Sequence, residues 1–339
     1  MNTLQLFVTF VGRIYIFKSG TIRRKNSSLI LETSDDEICL PIEQIRTLYV
    51  FSEVTINKRA LELLWKHDIS ILFFNYYGTL VGSFLPHGKH PVGDILRAQV
   101  LALENPTIRC RIALTIQEAA LQNSLSVLKY YHKKGTELHE QIRSIETILD
   151  EIKSAQDIES IMLYEARAKK EYYSCFDLIL AQTGFAYERR TVLPPENEVN
   201  SLMSFGYHLL YGTILAELNI SRLYAELPFI HSEQRAGFGL QYDLADIYKP
   251  VLIDRLLLGM IRRRSIQKDD FEQKENGGIC LNDSGKKKFV EFYNQELNRT
   301  IEYDGRNRSY RSIIQHDIHR LIDHLQDSDC PLRFYRHSW

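Results

Sequence analysis

Three observations predict an α+β chain with two unequal parts. Up to about Leu85, short β-branched and aromatic runs alternate with turn residues. Beyond Ile95, apolar residues recur at three- and four-residue spacing with charges between them. The 339 residues also exceed what one hydrophobic core usually holds, ~250–300 residues. We therefore predict a small β-rich domain over residues 1–85, a linker over 86–94 and a larger all-α domain over 95–339.

Within the first part, residues 7–11, 13–17, 28–32 and 37–40 read as strands, with Gly12 and Gly20 at turns that call for positive φ. Residues 57–67 change period and put Ala60, Leu61, Leu64 and Trp65 on one helical face. Extended character resumes at 69–74 and 80–84 around Gly78. Pro86, Gly88 and Pro91 mark the linker. Helical periodicity then covers 95–149, 158–181, 201–218 and 244–261. The polar stretch 265–278, ending in a Gly pair, predicts an exposed loop.

Composition narrows the function. With 44% hydrophobic and 25% charged residues, a disordered or low-complexity chain is excluded. No apolar run approaches the ~18–20 residues that cross a bilayer, and the N-terminus reads as mature sequence. Five scattered cysteines, Cys39, Cys110, Cys175, Cys280 and Cys330, build neither a zinc pattern nor a disulfide framework, so a reducing, cytoplasmic location is the expectation. The net charge of −1 excludes a uniformly basic DNA-coating protein. That neutrality is a sum over unlike regions: residues 1–90 carry 10 basic and 8 acidic groups, 91–250 carry 16 and 21, and 251–339 carry 16 and 14. The acidic excess thus lies in the middle of the chain, where a bound divalent cation would offset part of it.

Common cofactor signatures fail. Ser284-Gly285-Lys286 is followed by Lys287 where a phosphate loop needs Ser or Thr, and Gly237-Phe238-Gly239 lacks the third glycine of a dinucleotide fingerprint. No GxSxG or HExxH is present. What remains is His231, followed by a Gly-containing loop and then by Asp243 and Asp246, three residues apart and so on one helical face. An imidazole with several carboxylates suits a hard cation, Mg2+ or Mn2+. The competing explanation is that Asp243 merely favours the helix dipole in a first turn. Farther upstream, Glu165 falls on a face with Ile158, Ile161, Ala168 and Tyr172, where a carboxylate is costly unless paired or bound to a cation. Its competing explanation is a surface pair with Lys169 at i+4. The residues alone leave both alternatives open.

The run Glu165-Ala166-Arg167-Ala168 with Tyr172, then Asn200-Ser201-Leu202-Met203-Ser204-Phe205-Gly206-Tyr207, then His231 and Asp243-Leu244-Ala245-Asp246-Ile247-Tyr248-Lys249-Pro250, resembles the Cas-one family of CRISPR-associated adaptation integrases. The resemblance extends over nearly the whole chain, including a helix at 55–64, Gly278-Ile279-Cys280-Leu281-Asn282 and Tyr310-Arg311. It implies a β-sandwich-like N-terminal domain, a helical catalytic domain and a homodimer. Metal ligands at Glu165, His231 and Asp246 follow from it, with Asp243 as an additional acidic residue. Two positions depart from the family pattern: Ala166 replaces its usual Gly, a small-for-small change compatible with close helix packing, and Lys249 replaces its frequent Arg.

The implied chemistry is transesterification: a spacer 3′-hydroxyl attacks a phosphodiester of the CRISPR repeat, with the Cas-two protein as partner. A general metal-dependent nuclease or junction resolvase and a catalytically silent DNA-binding scaffold are the alternatives. Candidates for phosphate contact are Arg189, Arg190, Lys249, Arg262, Arg263, Arg264, Arg308 and Arg311, together with Arg23-Arg24-Lys25 and Lys286-Lys287-Lys288, for which a solvated face is an equal reading. Tyr164, Tyr172 and Tyr211 could stack on splayed bases or simply pack in the core.

Overall fold

The computed structural model describes residues 7–10 (backbone only), 12–86, 93–231 and 238–337. The chain folds as two compact units, residues 1–90 and 91–339. Val11 and most of the expected linker lie outside the described residues.

The first unit contains strands β1 (Phe7–Phe10), β2 (Gly12–Ile16), β3 (Gly20–Lys25), β4 (Ser28–Glu32), β5 (Glu37–Leu40), β6 (Ile45–Val50), β7 (Val54–Ile56), helix α1 (Lys58–Lys66), β8 (Ser70–Phe74) and β9 (Leu80–Phe84). They form a five-stranded mixed sheet, β1-β2-β6-β8-β9, and a four-stranded sheet, β5-β4-β3-β7. Ile14 and Ile16 of β2 and Leu48 and Val50 of β6 enter one core, on strands that are largely buried on both faces. Ile22, Leu29 and Leu31 of the second sheet and Ala60, Leu63 and Leu64 of α1 join them there. The sandwich-like expectation thus describes two sheets and a helix around a shared core. Asn57 starts α1 by accepting the Ala60 N–H at 2.9 Å. The helix therefore begins at Lys58, three residues later than the family resemblance implies, because Val54–Ile56 is a strand paired with β3.

Gly12 has the expected positive φ, 76°. Gly20 is instead the first residue of β3, and it is needed for close approach: a Cβ there would lie 2.3 Å from the Glu32 carbonyl oxygen.

The second unit contains α2 (Gly93–Glu104), α3 (Pro106–Lys133), α4 (His139–Glu151), α5 (Ile158–Ile179), α6 (Glu198–Ser221), α7 (Gly239–Tyr248), a π-helical turn (Lys249–Asp254) and α8 (Arg255–Arg262). After these come β10 (Phe271–Gln273), β11 (Ile279–Leu281), α9 (Asp283–Asn298), β12 (Thr300–Tyr303), β13 (Arg306–Ser309) and α10 (Tyr310–Gln326). It is a helical domain to which two short antiparallel hairpins are added. The stretch expected as an exposed loop, 265–278, buries Ile266 and Asp270 and supplies β10, because Asp270 holds Lys288 and packs against Gly285. The expected continuous helix 244–261 is interrupted by the π turn. Pro250 has no N–H for the carbonyl of Asp246, and its ring crowds that carbonyl, so the helix widens there.

Gly206 of α6 faces Ile253 and Phe289, and a Cβ would sit 2.6 Å and 2.8 Å from their side chains. Gly206→Ala is expected to destabilise the domain by about 1–3 kcal/mol in urea denaturation, since both neighbours are buried and cannot give way.

The C-terminal segment is tied into the bundle. Asn123 of α3 donates to the carbonyls of Ile247 and Tyr335 and accepts the His337 N–H at 2.7 Å. Asp317 of α10 accepts from Tyr248, from Tyr303 and from the Tyr335 N–H. Burial pushes the Asp317 carboxyl up to about 6, against those hydrogen bonds and Arg320, which pull it down. Between about pH 4 and 6 the folded protein keeps a proton that the unfolded chain has lost, so this contribution to stability falls as pH rises. Asp317→Asn is expected to gain on the wild type progressively over that window, by about 2–3 kcal/mol in all. Urea denaturation at several pH values would read the difference.

Candidate active site

Helix α5 opens with a reciprocal cap, Asp157 accepting the Ser160 N–H at 2.7 Å while the Ser160 hydroxyl accepts the Asp157 N–H. Its buried residues, Ile161, Glu165, Ala168, Tyr172, Cys175, Phe176 and Ile179, follow helical spacing, so Glu165 stands on the apolar stripe. The Lys169 pair expected of a surface glutamate is present, yet Glu165 is only 9% exposed. Lys169 does more than that expectation allows: its ammonium also donates to Asp246 Oδ2 at 3.2 Å. Ala166 faces solvent, so the close-packing role expected for that position belongs to the buried Ala168.

Helix α7 begins at Gly239, which has to be Gly because a Cβ would lie 2.6 Å from the Pro228 ring. Asp243 is therefore mid-helix, and the dipole explanation for it fails. Its fully buried carboxylate accepts the N–H groups of Phe229, Ile230 and His231 at 2.6, 3.1 and 3.2 Å, and pairs with His231 Nδ1 at 2.6 Å. His231 is thereby held against α7, while residues 232–237 between the two lie outside the described residues. Asp246 has different partners: Lys249 Nζ at 2.5 Å and Lys169 Nζ. The two aspartates hydrogen-bond different groups, although both act on the His231 ring through their charge. One fixes the histidine segment, and the other holds two ammoniums.

Burial raises the Glu165 pKa, reinforced by Asp246 and opposed by Lys169. Burial also works against ionisation of Asp246, but Lys169, Lys249 and His231 outweigh it and hold that carboxyl well below the usual range. For His231, burial favours the neutral ring, yet Asp243 and then Asp246 raise its pKa on balance. With Nδ1 committed to Asp243, Nε2 is the nitrogen left to accept a proton or a ligand. Among the described residues, no three His, Cys, Asp or Glu side chains are grouped closely enough to hold a metal ion. Glu165 and Asp246 are brought together through the Lys169 ammonium, while His231 is brought to Asp243.

The cleft is lined by Gln117 and Ser124 of α3, Tyr172 and Tyr173 of α5, and Lys249 and Asp254 of the π turn. Asp254 is a site residue that sequence reasoning misses. It accepts from the Tyr207 hydroxyl at 2.7 Å, Tyr207 meets Tyr173 at 3.0 Å, and burial pushes the Asp254 carboxyl up to about 7. The Arg190 guanidinium bonds Asn200 and Ser204 and stands over the Tyr207 ring.

Several expected phosphate contacts are already paired within the chain, although Arg262 and Lys288 stay exposed. Arg262 donates to the Ile179 carbonyl at the end of α5, and Arg311 pairs with the buried Glu217 at 2.8 Å. Lys249 is spent on Asp246, Lys286 is buried, and Lys288 pairs with Asp270. Arg263 and Arg264 are exposed, Arg189 is largely exposed beside Glu196, and Arg308 is half-buried. Of the tyrosines, Tyr172 is in the core, whereas Tyr164 and Tyr211 are half-buried.

A family profile described as CRISPR associated protein Cas1 matches residues 14–295. The chain is 34% identical over 318 residues to CRISPR-associated endonuclease Cas1 2 of Thermodesulfovibrio yellowstonii, covering 93% of this chain and 96% of that one. Its fold is similar to a CAS1 protein from Thermotoga maritima, with a TM-score of 0.85 at 33% identity, covering 96% of this chain and all of the other. It also resembles a casposase bound to its integration product, with a TM-score of 0.84 at 19% identity, covering 96% and 94% of the two chains. At that lower identity the likeness is one of fold.

Proposed function

The chain belongs to the Cas1 family of CRISPR-associated proteins, and on that premise we propose that it is a divalent-metal-dependent DNA integrase of CRISPR adaptation. It joins spacer 3′-hydroxyl ends to repeat DNA by transesterification, acting as a homodimer with the Cas-two protein. One observation carries this most: two carboxylates from separate helices, Glu165 and Asp246, share a single cation, and a histidine aligned by Asp243 reaches the same helix.

In donor chemistry, though not yet in spacing, that set suits Mg2+ or Mn2+. Hard oxygen donors already share a cationic group, and a histidine whose other ring nitrogen is held by a carboxylate is the usual form of a metal-binding imidazole. Glu165, Asp246 and His231 Nε2 would hold the ion. When bound, it supplies Lewis-acid polarisation of the reacting phosphodiester and charge for the departing 3′ oxygen. The protein's own groups position and orient. Asp243 keeps the His231 ring in one tautomer and fixes its segment against α7. Lys249, seated 5.1 and 5.0 Å from the Tyr207 and Tyr211 ring centres, keeps positive charge beside Asp246. The exposed Arg263 and Arg264 offer salt-dependent phosphate contact without base readout.

With the Cas-two partner, a pre-spacer and a supercoiled plasmid carrying the repeat, the protein should yield joined, branched DNA. Pre-spacer ends lacking the 3′-hydroxyl should yield none. The endonuclease name of the T. yellowstonii relative favours a second reading, DNA cleavage by the same groups. Nicking or degradation without joining would select that reading and overturn the integrase.

A further inference from the structure

We propose that Lys169 is a resident cation of the site, and that its ammonium is exchanged for the divalent metal when the site loads. This rests on the metal reading of Glu165 and Asp246 given above. The ammonium pairs with Glu165 Oε1 and with Asp246 Oδ2, bridging one carboxylate from α5 and one from α7. A divalent ion shared by those two oxygens needs the place that Lys169 now fills.

The neighbouring lysine is not equivalent. Lys249 pairs with the other oxygen of Asp246, is only 12% exposed, and stands against the Tyr207 and Tyr211 rings. Lys169 is 39% exposed, so its flexible stem has an open route to solvent. Lys249 is therefore the fixed counter-charge, and Lys169 is the group free to leave.

The exchange has two consequences. Without metal, Lys169 keeps two buried like charges from repelling each other, so the cleft stays assembled. With metal, that stabilisation has to be given up, so affinity is lower than the donor set alone would provide. A partly exposed ion pair is worth a few-fold in an equilibrium, and two are lost together, which puts the effect at about tenfold or more.

The test measures Mn2+ binding to the full-length protein by electron paramagnetic resonance, alongside thermal unfolding in chelator. Lys169→Met keeps the stem and removes the charge, and Lys169→Gln is a second neutral variant should the first fold poorly. Both should bind Mn2+ about tenfold more tightly than wild type. Both should also melt lower in chelator and gain more from added Mn2+. Unchanged or weaker Mn2+ binding in these variants would overturn the exchange. Glu165→Gln separates the two ideas. If it abolishes Mn2+ binding while the Lys169 variants match wild type, the metal site stands and the exchange alone fails. If Glu165→Gln binds Mn2+ like wild type, the metal reading fails and the exchange falls with it.

Discussion

Asp246→Ala is expected to abolish DNA joining, by about a thousandfold or more, and also to weaken the fold. Asp246 is 3% exposed and is the shared partner of two ammoniums. Removing it leaves Lys249 charged in a nearly closed setting, and breaking a buried pair from one side costs about 3–5 kcal/mol. Lys169 adds less, because solvent screens its exposed stem. A double variant, Asp246→Ala with Lys249→Met, should recover much of the stability in urea denaturation and none of the joining. Stability and activity recovering together would show that Asp246 acts only by holding the fold.

The second large effect falls on a residue that need touch no metal. Asp243→Ala leaves the N–H groups of Phe229, Ile230 and His231 without their acceptor, two of them on fully buried residues. At about 1–3 kcal/mol for each unsatisfied buried group, a loss of several kcal/mol is expected. Asp243→Asn is more discriminating. Its carbonyl can keep the Phe229 and Ile230 bonds, but its amide now donates toward His231 Nδ1, which forces the proton onto Nε2. The fold should then survive better than in the Ala variant, while metal affinity falls by about 10–100-fold, as for other lost partners of ligating histidines. Calorimetric metal titration beside urea denaturation would separate the two. Equal losses in both variants would mean that the tautomer is irrelevant.

Parts of this arrangement are legible in the sequence for physical reasons. Strands Ser28–Glu32, Glu37–Leu40 and Leu80–Phe84 lie between turn residues, and those punctuators mark their bounds. Strand Ile45–Val50 is not legible: it is central, paired in parallel on both sides, and its four final residues are all buried, so it has no alternation to detect. Strand Gly20–Lys25 is hidden because Gly20 looks like a turn when it is a close approach.

At the site, helical spacing puts Glu165 on the apolar stripe, where the structure also has it. The same rule puts Asp243 and Asp246 near His231 but does not give their hydrogen-bond partners. Sharing a helical face does not fix which way each carboxylate turns, and three backbone N–H groups compete for the first. Lys169 is visible only as an i+4 partner, because its second carboxylate lies 77 residues away. Asp254 has no local signal at all. It reaches the cleft through a π turn that periodicity does not encode, next to a proline that explains it.

The most direct test of the metal site is a crystal of the protein soaked in Mn2+ and measured at the metal's absorption edge. One anomalous peak should lie between Glu165, Asp246 and His231 Nε2, with the Lys169 ammonium turned away from both carboxylates. A peak elsewhere, or Lys169 still bridging Glu165 and Asp246 at saturating Mn2+, would contradict it.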